Sequence, residues 1–281
     1  MLSRLELGGL ATVFGGSGFL GSQVVRALAR DGWRVRAAVR RPDLAGRLQP
    51  MGNVGQVHAI QANVRFPQSV VRAVEGAEAV VNAVGILAPS GAQTFRAVHV
   101  EGARAIARAA REAGAKQLIH ISAIGANRKG SANYARTKAA GEQAVLEEFP
   151  GAIILRPSIV FGPEDDFFNR FASMARTSPI LPLVGGRTKF QPVYVGDVAA
   201  AVAAACEGKG AAGAIYELGG PEVLRFASSS TGPKLGPGGS ALTCRYRSGL
   251  RASWLWPHGP RRIRCARSRS TRCGCCEPTT S

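Results

Sequence analysis

The chain has 281 residues and a formal net charge of +18, long enough to bury the core of one large domain. The charge is uneven: residues 225–281 hold ten arginines and Lys234 against the single acid Glu277, so the preceding body carries +8. The longest uncharged run, residues 7–25, contains six glycines with Thr12, Ser17, Ser22 and Gln23, which excludes a membrane-spanning helix.

Residues 1–7 carry Arg4 and Glu6 and lead straight into an apolar run, so no cleaved presequence is expected. Cys206 is the one cysteine of the body, and the other five lie in the tail. That usage fits a reducing compartment. We expect a cytoplasmic protein, with any membrane contact peripheral and at the inner membrane.

The first predicted element is a buried strand, Leu10–Phe14, followed by a helix over 19–28. Between them Gly15, Gly18 and Gly21 recur at three-residue spacing. A strand that feeds a helix through glycines builds an anion site, because the free N–H groups of the first helical turn and the helix dipole both favour negative charge. A Cβ here would obstruct the tight turn, the approach of a pyrophosphate or the packing of helix on strand. Ser17, Gly18, Phe19, Leu20 and Gly21, with Gly15, are therefore expected to hold a dinucleotide.

Further strands are predicted at 33–39, Val57–Gln61, 79–83, 117–122 and 152–155. Helices are predicted from Pro67 to Val74, over 94–113 with Gly114 at its end, and from a capping Asn133 to Glu148. Nearly all-apolar strands that alternate with helices predict an α/β fold, a Rossmann-type doubly wound parallel sheet. Beyond it we expect a helix over 167–176, a strand over 190–195, a helix capped by Asp197 and running to Cys206, and a strand over 214–218. These make a small, incomplete C-terminal lobe, so residues 8–224 form the nucleotide-binding body.

Residues 225–281 show no apolar period and are rich in Arg, Ser, Gly, Pro and Cys. One reading is a disordered basic tail. We favour another, an out-of-frame readout of GC-rich codons, which yield this mixture. Coding DNA with no better-patterned continuation in either alternative frame would sink it. Cys273-Gly-Cys275-Cys276 lacks zinc-ligand spacing, so no metal is expected. The tail has charge but no recognition fold, so no specific nucleic acid is expected.

The cofactor is addressed by the end of the second strand. A site for NAD(H) places an acid there; this chain has Arg40, with Arg41 beside it. A guanidinium grips a 2′-phosphate, whereas a carboxylate repels it. NADP(H) is favoured, with NAD(H) the alternative. Asn63 and Val64 follow the third strand, where the amide reaches for an adenine edge or simply closes a turn. Ala83, Val84 and Gly85 end the fourth strand, where sheet geometry lays the cofactor ribose.

Ser122 ends the fifth strand, and Tyr134 and Lys138 share a face of the next helix. A phenol with an ordinary pKa of about 10 is a poor acid or base near neutrality. A neighbouring ammonium is expected to lower that value. Tyr134 would then exchange a proton with a substrate oxygen held by Ser122, while Lys138 also binds the nicotinamide ribose. Asp165 and Asp166 read as a solvated loop pair.

Together the three glycines, Ser122 and Tyr134-x-x-x-Lys138 resemble the short-chain dehydrogenase/reductases, in the extended or atypical branch near the nucleotide-sugar epimerases. Arg156-Pro-Ser-Ile-Val-Phe-Gly-Pro-Glu-Asp-Asp-Phe-Phe-Asn-Arg-Phe-Ala-Ser-Met174 and Phe190-Gln-Pro-Val-Tyr-Val-Gly-Asp-Val198 narrow the resemblance. They are similar to the nucleotide-binding accessory subunit of respiratory complex I and its bacterial relatives, over roughly residues 8–224. The resemblance implies a tightly held NADPH, a peripheral position on complex I with a structural or assembly role, and no established turnover. It also implies that Pro157, Ser158 and Ile159 lie against the nicotinamide. His99 stands where related reductases carry an asparagine that helps a proton relay; on the residues alone, it reads as a satisfied structural histidine. The alternative is an active NADP-dependent reductase or epimerase/dehydratase using Ser122, Tyr134 and Lys138.

Overall fold

Seven short segments pair edge to edge, and the central ones, such as Ala79–Asn82, are buried on both faces. The structure, a computed structural model, describes residues 8–165 and 189–225. The helix expected over 167–176 and the tail beyond 225 lie outside these residues. In chain order the strands of the main sheet are β1 (Leu10–Phe14), β2 (Arg34–Val39), β3 (Val57–Gln61), β4 (Ala79–Asn82), β5 (Gln117–Ile121), β6 (Ile153–Pro157) and, after three two-residue strands, β10 (Ile215–Leu218). All pair in parallel, in the spatial order β10-β6-β5-β4-β1-β2-β3. The order reverses between β1 and β4, so the loops after these strands diverge and open a cleft at their C-terminal ends.

The period of two along each strand sorts residues between two cores. Val13, Ile119 and Ile121 pack with Val24 and Leu28 of α1 (Phe19–Arg30) and with Val198 and Val202 of α5 (Val195–Cys206). Phe14, Leu118 and Ile154 face the other way. There they meet Val70 of α2 (Pro67–Val74), Ile106 of α3 (Ala103–Glu112) and Val145 of α4 (Asn133–Glu148). Helices on both faces of a parallel sheet confirm the doubly wound α/β reading.

Several local expectations need correction. The helix expected over 94–113 begins as a π-helical turn, Arg96–Gly102, and becomes α-helical only at α3. Gly141 of α4 lies so close that a Cβ there would sit 2.0 Å from the His99 carbonyl oxygen. The strand expected over 190–195 is broken at Gln191-Pro192, since proline has no N–H to give a ladder. Its halves are β8 (Lys189–Phe190), antiparallel to β11 (Leu224–Arg225), and β9 (Val193–Tyr194), parallel to β7 (Val160–Phe161). Asp197 does not cap α5: Tyr194 holds that position and Asp197 sits in the first turn, where burial raises its carboxyl pKa. Asn133 is likewise the first residue of α4, after Ala132 at the cap. Among the described residues no helix is long and apolar enough to cross a membrane.

Candidate active site

The glycine turn between β1 and α1 is shaped as an anion cradle. Gly15 has φ +77°, which side chains other than glycine rarely adopt. Its N–H donates to Ala38 on β2 (3.0 Å), and its carbonyl accepts from Gly18 (2.9 Å). Gly18 caps α1 without a side-chain cap, and no acid stands in the first turn. The leading N–H groups of the helix therefore have no intrahelical acceptor and no local anion. A dinucleotide phosphate fits that donor set, and the open front of Gly18 admits it: a Cβ there would meet only the Gly15 oxygen, at 3.3 Å.

At the end of β2, Arg40 is exposed and donates to Gln93 Oε1 (2.7 Å). Arg41 turns aside and clasps Asp43 with two nitrogens. Asn63 closes a turn after β3, its Oδ1 accepting from the Arg65 N–H (3.1 Å). Val64 packs on the π-helical turn at Gly102. After β4, Ala83 borders Gly15, and Val84 donates to Asn82 Oδ1 (3.1 Å). Gly85 faces Lys138 and His99: a Cβ on it would be 3.8 Å from Lys138 Nζ and 3.9 Å from His99 Nε2. Pro157, Ser158 and Ile159 are stitched across the C-terminal edge by backbone bonds to Ile124, Leu218 and Val193.

Ser122, after β5, and Lys138, on α4, are both buried, and Tyr134, one helical turn before Lys138, is half-buried. Lys138 Nζ donates to the Ile121 carbonyl (2.9 Å). Burial lowers the Lys138 pKa from 10.5 to about 8, against the raising influence of Glu142 one helical turn on. Burial also raises the Tyr134 pKa above its ordinary value. This corrects the expectation of a phenol acidified by Lys138: desolvation governs Tyr134, and the strand carbonyl takes one of the three ammonium protons. Among the described residues the Ser122 hydroxyl has no hydrogen-bond partner. A buried hydroxyl at the end of β5 with its capacity unused suits a ligand oxygen.

His99 behaves as the satisfied histidine expected from the sequence. Its Nε2 accepts from the Ile86 N–H (3.1 Å), and its Nδ1 lies 3.1 Å from Thr137 Oγ1. Burial, then the Lys138 charge, lowers its pKa to about 4, so it is neutral. Its ring stands edge-on to Tyr134 at 5.5 Å, and Phe95 packs against both, 5.3 Å from His99 and 6.1 Å from Tyr134. The π-helical turn and the residue before it thus place two rings together against the Tyr134 phenol.

Sequence reasoning missed His120 and Asn82. His120 Nδ1 lies 3.0 Å from the Asn82 amide nitrogen, while its Nε2 has no partner among the described residues. Burial, then the charge of Lys138, pushes the His120 pKa well down. An imidazole inside an otherwise apolar strand, one residue pair before Ser122, was the available signal. Asp165 is also corrected: it is buried, and its carboxylate accepts from the Gly162 N–H (3.2 Å). Asp166 lies outside the described residues. Among the described residues no group of three or more His, Cys, Asp or Glu side chains is placed to hold a metal.

The glycine turn, the strand-end loops and Tyr134-x-x-x-Lys138 occur within a single stretch, and the family model described as NAD dependent epimerase/dehydratase family matches residues 11–219. This chain belongs to that family. Curated relatives agree with it. "NADH dehydrogenase [ubiquinone] 1 alpha subcomplex subunit 9, mitochondrial" from Rattus norvegicus is 41% identical over 218 residues, covering 76% of this chain and 57% of the relative. The Arabidopsis thaliana protein of the same name is 39% identical over 219 residues, covering 76% and 54%. "Ceramide reductase" from Caulobacter vibrioides is 35% identical over 198 residues, covering 70% and 61%. The chain thus spans a little over half the length of these relatives. Among solved structures, MoeE5 in complex with UDP-glucose and NAD superposes with a TM-score of 0.65 at 21% identity, covering 78% of this chain and 79% of that one. It shares the fold of this chain.

Lys138 makes a testable demand on stability. With its pKa lowered in the fold, Lys138 binds its proton less well folded than unfolded, so the cost is fully present below about pH 8 and is relieved as pH rises towards 10.5. The stability of the native chain minus that of Lys138→Met is expected to rise by about 3 kcal/mol across that window. Urea denaturation of both proteins at stepped pH measures it, and a flat difference would show that Lys138 is not desolvated.

Proposed function

We propose that residues 8–224 are a dinucleotide-binding body with part of a substrate lobe, that it prefers NADP(H), and that it serves respiratory complex I as an accessory or assembly subunit, held peripherally at the membrane. The observation that carries the partner is the 39–41% identity to the alpha subcomplex subunit 9 proteins along three quarters of the chain. The nucleotide preference rests on Arg40, an exposed guanidinium at the end of β2 where an acid would select NAD(H). Arg40→Ala is expected to weaken NADPH by about tenfold or more while sparing NADH. Titration of the variant with each nucleotide reads this directly; equal losses would point to a structural role for Arg40.

A second reading, an active NADP-dependent reductase or epimerase/dehydratase, is favoured by the buried hydroxyl of Ser122, which has no partner among the described residues. When bound, the nicotinamide would exchange hydride with the substrate carbon. Ser122 would hold the substrate oxygen, and Tyr134 would give or take its proton. Lys138 would hold the ribose beneath Gly85, and His99 and Phe95 would fix the phenol. The relative named ceramide reductase gives this reading weight.

The two readings separate in one preparation. Tagged protein expressed in a respiring bacterium should bring down complex I subunits under the first reading. Under the second, the purified protein should oxidise NADPH with a carbonyl substrate, and Tyr134→Phe should abolish that. Complex I absent from the capture would count against the partner; turnover unaffected by Tyr134→Phe would count against the triad.

A further inference from the structure

Two buried polar atoms near the end of β5 have no hydrogen-bond partner among the described residues, His120 Nε2 and Ser122 Oγ. The two residues are 2% and 4% exposed, so water from outside does not serve them. The Ser122 N–H still donates to Leu155 of β6 (2.7 Å), so the extended run continues through it. Residues two apart on such a run share a face. Leu118, two residues before His120, packs with Ile106 of α3 and Val145 of α4. His120 and Ser122 therefore point to the same side, under the helix that carries Tyr134 and Lys138.

The proton on His120 can be placed. The Val84 N–H donates to Asn82 Oδ1 (3.1 Å), which turns the Asn82 amide nitrogen towards His120 Nδ1 (3.0 Å). An amide nitrogen only donates, so Nδ1 accepts and the neutral ring carries its proton on Nε2. That N–H is a buried donor in need of an acceptor. Lys138 only donates. His99 has its Nε2 lone pair on the Ile86 N–H, and its Nδ1 faces Thr137. Asn82 has its oxygen on Val84. Of the polar side chains in this corner, Ser122 remains, with two lone pairs to offer. Alternate residues of a strand stand about 6.6 Å apart, and one water between two hydrogen bonds spans about 5.5 Å.

We propose that His120 is a positioning residue for Ser122: its Nε2–H donates to one buried water, which donates to Ser122 Oγ and so turns the Ser122 proton outward to a ligand oxygen. The inference rests on the second reading above. The order of donors runs from Val84 through Asn82, His120 and the water to Ser122, and each member sets the next. An outward proton suits an oxygen that can only accept. It therefore assigns the ligand class as a carbonyl, a ketone or an aldehyde.

The test is NMR of the full chain carrying isotope-labelled histidine, for the native protein, Ser122→Ala, His120→Gln and His120→Met, with thermal melts to show that each folds. The His120 signals, assigned by their loss in His120→Gln, are expected to show a neutral ring protonated at Nε2. Ser122→Ala should speed exchange of that proton with solvent by about tenfold or more. Glutamine at 120 keeps an acceptor for Asn82 and a donor towards Ser122, and methionine keeps neither. With NADPH and diacetyl as the carbonyl probe, His120→Met should lower kcat about tenfold, His120→Gln should retain most of it, and NADPH affinity should be unchanged in both. A proton on Nδ1, or Nε2–H exchange unmoved by Ser122→Ala, would overturn the inference. So would equal kcat in His120→Gln and His120→Met. Native protein that gives the expected spectra but reduces no diacetyl would count against the second reading, and the spectra would still decide the hydrogen-bond order.

Discussion

Glu142→Ala is expected to destabilise the fold by about 3–5 kcal/mol. Glu142 is buried on α4 and takes both nitrogens of the Arg156 fork, at 2.9 and 2.7 Å, from β6. The pair ties the helix that bears Tyr134 and Lys138 to the C-terminal half of the sheet. Without it, Arg156 is left largely buried, with Glu217 of β10 at 3.7 Å as its remaining anion. An unpaired charge in that setting costs far more than the intact pair contributes. Glu142→Gln keeps an acceptor and should cost less. The carboxylate also helps Lys138 stay protonated, so Glu142→Gln should lower the Lys138 pKa further. Urea denaturation measures the first effect; a cost under about 1 kcal/mol would mean that Glu217 takes over the guanidinium.

Gly21→Ala is expected to abolish nucleotide binding and to cost about 1–3 kcal/mol of stability. Its Cβ would stand 2.1 Å from the Gly15 carbonyl oxygen and 2.9 Å from the Gly16 Cα. Every atom it meets is backbone, so the turn itself must shift, and the N–H groups that would face a phosphate shift with it. Gly18→Ala is the informative contrast. Its extended φ of −77° suits any residue, and the new Cβ has only the Gly15 oxygen near it. That variant should keep its stability and lose affinity, because its methyl occupies the approach of the pyrophosphate. Thermal melts paired with nucleotide titration separate the two outcomes. Equal behaviour of both variants would contradict the cradle geometry.

What the sequence made legible is what local chemistry writes locally. Leu10–Phe14 and Val57–Gln61 read as strands because short, mainly apolar segments bounded by glycine or polar residues leave little choice. The spacing of Gly15, Gly18 and Gly21 carried the turn because a Cβ at each of them meets backbone. Contacts between distant residues were not legible. Nothing near Arg47 announces Ser17 or Glu164, and nothing near Glu142 announces Arg156; only the folded sheet brings them together. The π-helical turn was hidden for a related reason. Its apolar spacing reads as ordinary helix, and the insertion shows only when His99 meets Ile86, Thr137 and Tyr134. Pro192 was a signal that went unweighed, since a proline inside an expected strand argues for a break.

The most direct test of the account is a titration of the purified full chain with NADPH and with NADH, followed by the fluorescence of the reduced nicotinamide. A cleft built on Gly15, Gly18 and Gly21 with Arg40 at its corner predicts saturable binding of both, with NADPH the tighter. Binding of neither nucleotide, or tighter binding of NADH, would contradict it.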